Sequence, residues 1–346
     1  MGSNIEVDTK WADVARILPR INEEVNEEWL SDKSRYAWDG LKYQRLAYPM
    51  IKNIKGDLEE TGWIEAFEFI KKKINSMPNI DIAGSIGPFQ DVESIVAYRD
   101  FMHKMGSEDL EFLRRSLNID NTFRNQYLMN SRIRGIEDAD ALLIVGANLR
   151  NECPVLNARI RKAVQKGLKV GIIGPANNTF YNYIHLGNHP SSIEAILNPA
   201  NEFNKLLKKS KFPMILLGTS IIDRADGQSI YNNIIKLCQI CNVIKQKEKW
   251  NGLNILHRHS STSAMLDIGI RYRARAIPPN VVYLLGSDEF ELGDIPKDSF
   301  VIYQGHTGDK GAARADVILP GCSYLEKNAT YVNTEGRVQY GRKVMF

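Results

Sequence analysis

Cysteine is scarce in this chain, and its scarcity excludes several classes of protein. Only four cysteines occur in 346 residues, and none precedes Cys153. So few cysteines cannot supply a disulfide scaffold. Cys238 and Cys241 form a C-x-x-C, but the surrounding apolar residues have helical spacing, and no second pair or suitably placed histidine accompanies them. We interpret the two cysteines as small apolar residues of a helix, with a metal or redox pair as the alternative.

Long apolar runs are also missing. No stretch approaches the roughly 18–20 residues that cross a bilayer, because Gly218 and Ser220 interrupt the longest run. The first residues include acidic side chains and no Arg-rich amphipathic segment, so they do not resemble a signal or transit peptide. We therefore expect no direct membrane span.

The chain has no strong excess of charge of either sign. It contains 45 basic and 41 acidic residues, which are mixed along its length and leave a net charge of +4. The tightest basic cluster, Lys71, Lys72 and Lys73, falls in a segment with a helical pattern. A solvated helix face explains this cluster better than a nucleic-acid site, so we expect no nucleic-acid partner.

Common catalytic and metal-binding motifs are lacking as well. The sequence has neither a G-x-S-x-G nor a G-x-x-x-x-G-K-[ST] motif. His185 and His189 are four residues apart, but helix-breaking residues accompany them. His257 and His259 alternate and would share one face of a strand, with no carboxylate or thiol nearby. We expect no metal site.

What the sequence does have is a repeated pattern: a short apolar run followed by glycine. Continuous apolar runs are typical of strands buried on both faces of a parallel sheet. Between the first two runs, Pro154 suits the first turn of a helix and Gly167 its carboxyl end, so this segment predicts a right-handed βαβ unit. The glycines would then line the carboxyl edge of a doubly wound sheet, where such folds bind ligands. They are Gly146, Gly174, Gly218, Gly286, Gly305 and Gly321.

The first 50 residues have a different pattern. Polar and apolar residues alternate there, which predicts a small antiparallel β unit at residues 1–50. From about Thr61, an amphipathic helix leads into the first strand of the α/β region. The predicted fold class is therefore α/β, with doubly wound, largely parallel sheets and flanking helices behind the small β unit.

Two long segments resemble the molybdopterin oxidoreductases, namely "DADALLIVGANLRNECPVLNARIRKA" and "ADVILPGCSYLEKNATYVNTEGRVQ". In those enzymes the corresponding glycine-ended strands and the E-G-R loop hold pterin dinucleotides. A narrower resemblance, from Gly2 to about Gln339, is to the largest iron–sulfur subunit of respiratory complex I, the NuoG family. It is carried by "ARILPRINEEVNEEWLSDKSRYAWDGLKYQRL", "NILHRHSSTSAMLDIG" and "VIYQGHTGDKGAARADVILPG".

The resemblance implies a domain organisation and a set of site residues. Residues 1–50 would be a degenerate [4Fe–4S] domain, and residues 51–346 an α/β region of two interleaved lobes, about 51–135 plus 300–346, and 136–299. The positions of the former pterin pocket would be Gly146, Asn148, Gly174, Glu335, Gly336 and Arg337. With no pterin phosphate to meet, Glu326, Glu335 and Arg337 are expected to contact protein groups, and Gly336 to adopt a turn conformation.

The departures from the family pattern imply that the chain itself holds no cofactor. In the enzymes, four N-terminal cysteines hold a [4Fe–4S] cluster, but Ser31 stands in the place of the last one and no cysteine precedes Cys153. The molybdenum ligand would fall in the segment containing Ser85, which we expect to serve a turn instead. No catalytic residue is therefore expected. Iron–sulfur clusters and FMN are expected on partner subunits.

The resemblance implies a structural and assembly role in the peripheral arm of NADH:ubiquinone oxidoreductase. The expected partners are the iron–sulfur half of the same subunit and other peripheral-arm subunits, on the matrix side of the mitochondrial inner membrane. Asn-, Ile- and Lys-rich composition favours a split subunit made inside a mitochondrion. Two alternatives remain, a molybdopterin-dependent oxidoreductase and a nucleotide-binding protein that uses the former pterin cleft. Four aromatic residues, Trp11, Trp29, Tyr36 and Trp38, suit an interface or the core of the small unit.

Overall fold

The computed structural model describes residues 1–11, 13–114 and 119–345. Ala12, residues 115–118 and Phe346, which fall within the two predicted regions, lie outside the described residues. In the described part of the chain, no helix combines the length and the apolar character needed to cross a bilayer. The longest helix, Gly227–Ile240, has 14 residues.

The chain begins with a small antiparallel hairpin, as its alternating pattern predicts. Strand β1 (Ile5–Lys10) pairs with β2 (Asp13–Pro19), and helix α1 (Asp32–Tyr36) follows. Val14 and Ile17 of β2 pack with Leu30 and Leu325 in a separate apolar cluster. Because Leu325 comes from the far end of the chain, the small unit is anchored to the α/β region.

The described residues of the α/β region form two sheets. Their strands are β3 (Met50–Lys52), β4 (Leu58–Glu60), β5 (Ile82–Ile86), β6 (Ala141–Val145), β7 (Lys169–Ile173), β8 (Ile184–His185), β9 (Pro213–Gly218), β12 (Leu253–Leu256), β13 (Val281–Leu285), β14 (Phe300–Gly305) and β15 (Val317–Pro320). The first sheet has five parallel strands in the order β12-β9-β6-β7-β8, and the second has six strands in the order β4-β3-β15-β14-β13-β5. In the second sheet β5, β13, β14 and β15 are parallel, whereas β3 and β4 form an antiparallel edge.

Helices cover these sheets, and the described residues also form two further short hairpins. The hairpins pair β10 (Ile244–Lys245) with β11 (Trp250–Asn251), and β16 (Ala329–Val332) with β17 (Val338–Gly341). The helices are α2 (Trp63–Asn75), α3 (Val92–Lys104), α4 (Leu149–Glu152), α5 (Pro154–Gln165), α6 (Ser191–Leu197), α7 (Glu202–Lys209), α8 (Thr219–Ile222), α9 (Gly227–Ile240), α10 (Thr262–Ile268) and α11 (Lys310–Arg314). The predicted α/β class, with largely parallel sheets, is confirmed.

The predicted helix at Pro154 is present as α5, and it connects the parallel neighbours β6 and β7. Its buried face includes Leu156, Ile160 and Ala163, which pack in the apolar cluster beneath the five-stranded sheet. Gly167 follows the helix with a φ of 115°, a conformation that favours glycine.

The sheets divide the chain differently from the predicted lobes. Strand Val281–Leu285 falls in the predicted lobe 136–299, but it lies in the six-stranded sheet between Ile82–Ile86 and Phe300–Gly305. The chain thus passes from the five-stranded sheet to the six-stranded sheet between residues 256 and 281, not near residue 299. An apolar run predicts a buried strand without specifying its neighbours, so the sequence pattern could not assign this strand. The lobe boundaries themselves stay a prediction.

Candidate functional site

All six run-ending glycines lie at the carboxyl ends of parallel strands, three in each sheet. Gly146, Gly174 and Gly218 belong to the five-stranded sheet. The other three, Gly286, Gly305 and Gly321, follow or end strands of the six-stranded sheet. The carboxyl edges of the two sheets are therefore the candidate site, as their strand pattern predicts.

Side chains of the chain itself fill the turn at Gly146. This residue has a φ of 63°, and a Cβ there would lie 2.1 Å from Cγ1 of Ile221. The Ser220 hydroxyl donates a hydrogen bond of 2.7 Å to the Gly146 carbonyl. A ligand that approached the Gly146 backbone closely would have to displace both side chains.

Asn148 and Gly174 lie beside this turn. The Asn148 N–H donates to Oε1 of Glu152 at 3.0 Å, while the buried Oδ1 of Asn148 has no partner within the described chain. Gly174 has a φ of 143°, and a Cβ on it would lie 3.8 Å from Gly146. The structure thus brings Gly146, Asn148 and Gly174 together at adjacent strand ends.

The loop at residues 333–337 is held by protein groups. Gly336 has a φ of 77°, so the turn conformation predicted for it is confirmed. Glu335 accepts hydrogen bonds from the Ile133 N–H at 2.8 Å and from Nε of Arg337 at 2.7 Å. Arg337 also contacts Glu24 of the small N-terminal unit at 3.2 Å.

The same loop lies against β12, and one strand, β9, separates β12 from the strand β6 that precedes Gly146. The Thr334 hydroxyl donates to the Ile255 carbonyl at 3.1 Å, which fixes the loop against β12 at the edge of the five-stranded sheet. Gly146, Asn148 and Gly174 therefore form one cluster at the carboxyl ends of β6 and β7, whereas the loop with Glu335, Gly336 and Arg337 lies beside β12. Glu326 lies apart from them and pairs with Arg45 at 2.5 Å, so the predicted protein contacts of all three charged residues are confirmed.

Replacing Arg337 with alanine should lower the free energy of unfolding by about 1–3 kcal/mol. The Glu335 side chain is almost fully buried, and it would lose its cationic partner while keeping the Ile133 hydrogen bond. Arg337 itself is about one-third exposed, which limits the loss. Urea unfolding of Arg337→Ala, compared with the exposed control Arg342→Ala, measures the effect. Equal stability of the two variants would show that the loop is a solvated surface feature.

Ser85 lies inside strand β5, so the expectation that it serves a turn is wrong. Its hydroxyl is fully buried, donates to Oε1 of Glu111 at 2.7 Å and lies 3.0 Å from the Ser287 hydroxyl. The sequence did not reveal this role because Glu111 is 26 residues away, and Ser287 comes close only when β5 and β13 pair. Ser85 is therefore part of a buried polar cluster.

Glu111 is the centre of this cluster. Besides Ser85, its carboxylate accepts hydrogen bonds from the backbone N–H groups of Ile86, Leu113 and Arg114 at 3.0–3.1 Å. Burial raises the pKa of Glu111, although the Arg114 charge and the hydrogen bonds act in the opposite direction. Sequence analysis missed Glu111, because Glu108 and Asp109 lie close by and nothing in the residue pattern marks one of the three carboxylates as buried.

Arg114 joins this cluster to the helix that follows the five-stranded sheet. Its guanidinium donates to the Ile86 carbonyl and to the Thr262 hydroxyl, each at 2.9 Å. Burial lowers the pKa of Arg114 and that of two nearby histidines. The pKa of His257 falls to about 4 and that of His259 to about 3, so both imidazoles are neutral near pH 7. The cluster therefore connects β5 of the six-stranded sheet to helix α10 through hydrogen bonds and buried charges.

Cys238, Cys241, His257 and His259 are the remaining candidate metal ligands considered from the sequence. Helix α9 contains Cys238 and ends beside Cys241, as the helical interpretation predicts, and burial raises the pKa of the Cys238 thiol to about 12. His257 and His259 follow β12 and do not lie on it, so the prediction that they share a strand face is wrong. Within the described ranges, no group of three or more His, Cys, Asp or Glu side chains is arranged to hold a metal ion.

The residues present do not fit the two groups that the fold implies. An iron–sulfur cluster needs thiolates, but Ser31 is the N-cap of α1, where its hydroxyl accepts a hydrogen bond from the Ser34 N–H at 3.4 Å. A molybdenum ligand must be able to reach the metal, but the Ser85 oxygen is engaged by Glu111 inside a strand. At the Gly146 turn, Ile221 fills the space next to the glycine backbone.

Two family models together match nearly all of the chain. The model described as molybdopterin oxidoreductase matches residues 45–346. The model described as the NADH-ubiquinone oxidoreductase NDSU1/NuoG-like 4Fe-4S domain matches residues 1–39.

Named relatives are similar over essentially the whole of this chain. It is 42% identical to the NADH-ubiquinone oxidoreductase 75 kDa subunit of Reclinomonas americana over 100% of its length. Over 99% of its length, it is 43% identical to a NADH-quinone oxidoreductase subunit of Rickettsia felis and 41% identical to the mitochondrial NADH-ubiquinone oxidoreductase 78 kDa subunit of Neurospora crassa. Those alignments cover 53%, 51% and 47% of the three relatives, so the chain spans about half the length of the curated relatives it matches.

Two solved structures share the fold at low sequence identity. Acetylene hydratase from Pelobacter acetylenicus superposes with a TM-score of 0.63 and 13% identity, over 99% of this chain and 64% of that protein. A chain of the formyltransferase/hydrolase complex from Methylorubrum extorquens gives a TM-score of 0.59 and 14% identity, over 86% of this chain and 93% of that one. At such identities the likeness establishes the architecture only.

Proposed function

Since the chain belongs to the molybdopterin oxidoreductase family, in its NuoG-like complex I branch, we propose that it forms the large α/β lobe of the peripheral arm of respiratory complex I. The observation that carries the proposal is identity of 41–43% across 99–100% of this chain to subunits of NADH-ubiquinone and NADH-quinone oxidoreductases. That similarity includes the small N-terminal unit as well as the α/β region. In this role the chain supports electron transfer from NADH to quinone.

The second part of the proposal is that the chain carries no redox centre of its own. Its support is the chemistry of the former ligand positions, where Ser31 caps a helix and Ser85 binds Glu111. The iron–sulfur clusters and FMN would be held by partner subunits. The hydrogen bonds of Ser31 and Ser85 argue against a molybdopterin-dependent oxidoreductase, because neither hydroxyl is free to ligate a metal. A nucleotide-binding protein that uses the Gly146 turn is disfavoured by Ile221, which packs against that glycine.

Elemental analysis of the purified chain should find iron, molybdenum and zinc each far below one atom per chain. The physical reason is the shortage of thiolates, since Cys153, Cys238 and Cys241 are buried and do not converge with other ligands in the described ranges. An authentic [4Fe–4S] ferredoxin, purified and assayed in parallel, controls for loss of metal during purification. Stoichiometric iron or molybdenum on the chain would contradict the proposal.

The small N-terminal unit supplies the surface proposed to contact the iron–sulfur portion of the subunit. Trp11 is 93% exposed, Trp29 53% and Tyr36 64%. Only the fourth predicted aromatic residue, Trp38, packs against the apolar cluster of the unit. Exposed tryptophan and tyrosine side chains are enriched in interface cores and often contribute much of the binding energy. We therefore assign Trp11, Trp29 and Tyr36 to an interface; the unit's core does not need them.

A triple variant tests this surface. Changing Trp11, Trp29 and Tyr36 to serine should weaken association with the iron–sulfur portion by about 100-fold or more, since a buried aromatic anchor contributes roughly 2 kcal/mol or more. The matched control replaces two exposed phenylalanines elsewhere, Phe89 and Phe123, with serine. Co-purification and surface plasmon resonance measure the difference. If both variants bind like the parent chain, the interface lies elsewhere.

The cellular location follows from the proposed role. One relative is named as a mitochondrial subunit, and another comes from the bacterium Rickettsia felis. The chain would lie on the matrix side of the mitochondrial inner membrane, attached through its partners to the membrane-bound part of the complex. Obligate interfaces commonly bury more than about 2,000 Å², so the isolated chain should aggregate readily.

A further inference from the structure

Strand β17 leaves one of its edges open within the described chain. Its only strand neighbour there is β16, in a two-stranded antiparallel sheet. Val338 and Tyr340 are two residues apart and therefore lie on one face of β17, where they are 66% and 62% exposed. Valine and tyrosine favour strands, and an open edge presents N–H and C=O groups to any strand that approaches it.

The hydrogen-bond pattern of the hairpin shows which backbone groups of β17 face this open edge. In an antiparallel ladder, pairs of residues that exchange hydrogen bonds alternate with pairs whose backbone groups point away from each other. The hairpin is closed by a hydrogen bond of 3.0 Å from the Asn333 N–H to the Arg337 carbonyl. The pair that contains Val338 comes next in the ladder, so its backbone groups point away from each other, and the same holds for the pair that contains Tyr340. The N–H and C=O groups of Val338 and Tyr340 therefore face the open edge.

The opposite edge of the hairpin, on β16, is occupied at Thr330. This residue faces Tyr340 across the ladder, and its outward N–H donates to Oε2 of Glu93 at 2.9 Å while its hydroxyl donates to Oε1 at 2.7 Å. Glu93 belongs to α3, so the start of this helix lies where a further strand would pair with β16. No hydrogen bond among the described residues involves the outward backbone groups of Val338 and Tyr340. Of the two edges, that of β17 is therefore the one that can accept another strand.

The hairpin is fixed against the start of the chain, so its open edge has a defined position. The Gln339 side chain lies on the other face of β17, where its Nε2 donates to the Gly2 carbonyl at 2.8 Å and to Oδ1 of Asn4 at 3.0 Å. The Asn333 side chain donates to the Met1 carbonyl at 3.0 Å. A preformed edge loses less entropy on pairing than a mobile segment would.

The charge around the open edge indicates the kind of strand that fits it. Residues 336–346 contain no acidic residue, and the exposed side chains of Arg342 and Lys343 directly follow β17. A second copy of β17 would bring no carboxylate to these cations. In an antiparallel register centred on the strand, it would also place Arg342 beside Arg337 of the second copy, and like charges on facing strands destabilise pairing. A strand with acidic side chains would instead stabilise the pairing.

We propose that the open edge of β17 binds an extended segment of a partner polypeptide, in which a short apolar stretch is flanked by acidic residues. The segment adds a third strand to the hairpin, and its backbone exchanges hydrogen bonds with the outward groups of Val338 and Tyr340. Its apolar side chains cover those of Val338 and Tyr340, and a carboxylate lies opposite Arg342. The open edge is present whether or not the chain belongs to complex I. Where the proposed role holds, the segment comes from another part of the peripheral arm.

Fluorescence anisotropy with two synthetic peptides and the full chain, fused to a soluble carrier protein, tests the proposal. The acidic probe is EEVTVTVEE, and the basic probe KKVTVTVKK differs from it only in charge. The acidic probe should bind saturably with a Kd below about 1 mM, and about fivefold or more tightly than the basic probe. Arg342→Glu should remove this preference, whereas the exposed control Arg271→Glu should leave it within about twofold of that of the parent chain.

Proline at an outward position separates strand pairing from other modes of binding. Tyr340→Pro removes an N–H that faces the open edge and leaves the β16–β17 hydrogen bonds intact, so it should weaken binding of the acidic probe about tenfold. Tyr340→Ile keeps this N–H and a side chain that favours strands, and it should bind within about threefold of the parent chain. Val338→Pro removes the other outward N–H and should weaken binding in the same way, which provides a second test if Tyr340→Pro does not fold.

Three results would overturn the proposal. The first is the absence of saturable binding of the acidic probe up to about 1 mM, the weak end of specific affinities. The second is binding that folded Tyr340→Pro or Val338→Pro leaves unchanged, because the probe would then lie elsewhere on the chain. The third is dimerisation of the parent chain that these proline variants abolish, which would make a second copy the occupant of the edge. Membership of complex I is tested separately by depletion of the chain, and none of these three results decides it.

Discussion

Replacing Glu111 with alanine is expected to lower the free energy of unfolding by about 3–5 kcal/mol, a large part of the stability of an ordinary domain. The carboxylate is fully buried and accepts four hydrogen bonds, from the Ser85 hydroxyl and three backbone N–H groups. Alanine leaves these donors unpaired and a cavity among them. It also removes the negative charge beside buried Arg114.

Guanidinium unfolding followed by circular dichroism measures this effect. The matched control is Glu248→Ala, at an exposed position where a change of no more than about 0.5 kcal/mol is expected. Ser85→Ala provides a graded comparison, because it removes only one of the four donors and should cost about 1 kcal/mol. A loss below about 1 kcal/mol for Glu111→Ala would contradict the cluster as a stabilising connection between β5 and α10.

Much of the fold could be predicted because its signals are local. Each apolar run forms a parallel strand, and its glycine ends that strand or directly follows it, since only a strand buried on both faces needs a continuous apolar run. Pro154, the first residue of α5, and Gly167, which follows the helix, mark its two ends for equally local reasons. The alternation before residue 20 predicted the hairpin of β1 and β2.

The arrangement of strands could not be predicted in the same way. Val281–Leu285 and Pro213–Gly218 have nearly the same character, but they lie in different sheets. Their neighbours are fixed by long-range packing, for which a single sequence gives no signal. The same reason explains Ser85, whose partner Glu111 is 26 residues away and cannot be identified by spacing.

The structure of the loop at residues 333–337 could be predicted only in part. Its glycine turn is a local property, and the positive φ of Gly336 agrees with the prediction. That Glu335 and Arg337 contact protein groups could be expected from the resemblance, but the identities of Ile133 and Glu24 could not. These partners are supplied by segments more than 200 residues away.

The largest expected effect is that of removing the chain from the cell. The α/β lobe would then be missing from the peripheral arm. The iron–sulfur portion would lose the aromatic surface of Trp11, Trp29 and Tyr36 that it is proposed to bind. Subunits with obligate interfaces have little stability apart from their partners. Assembled complex I and NADH-driven quinone reduction should therefore fall together, although the chain holds none of the electron carriers in this proposal.

Native gel electrophoresis combined with an NADH:quinone reductase assay, on membranes from cells depleted of the chain, tests the central claim most directly. We predict that depletion removes full-sized complex I and the NADH:quinone reductase activity. The parent chain and the Phe89/Phe123 control should restore both. The Trp11/Trp29/Tyr36 variant should restore neither. Recovery of full-sized, active complex I from cells that lack the chain would contradict its assignment to the peripheral arm.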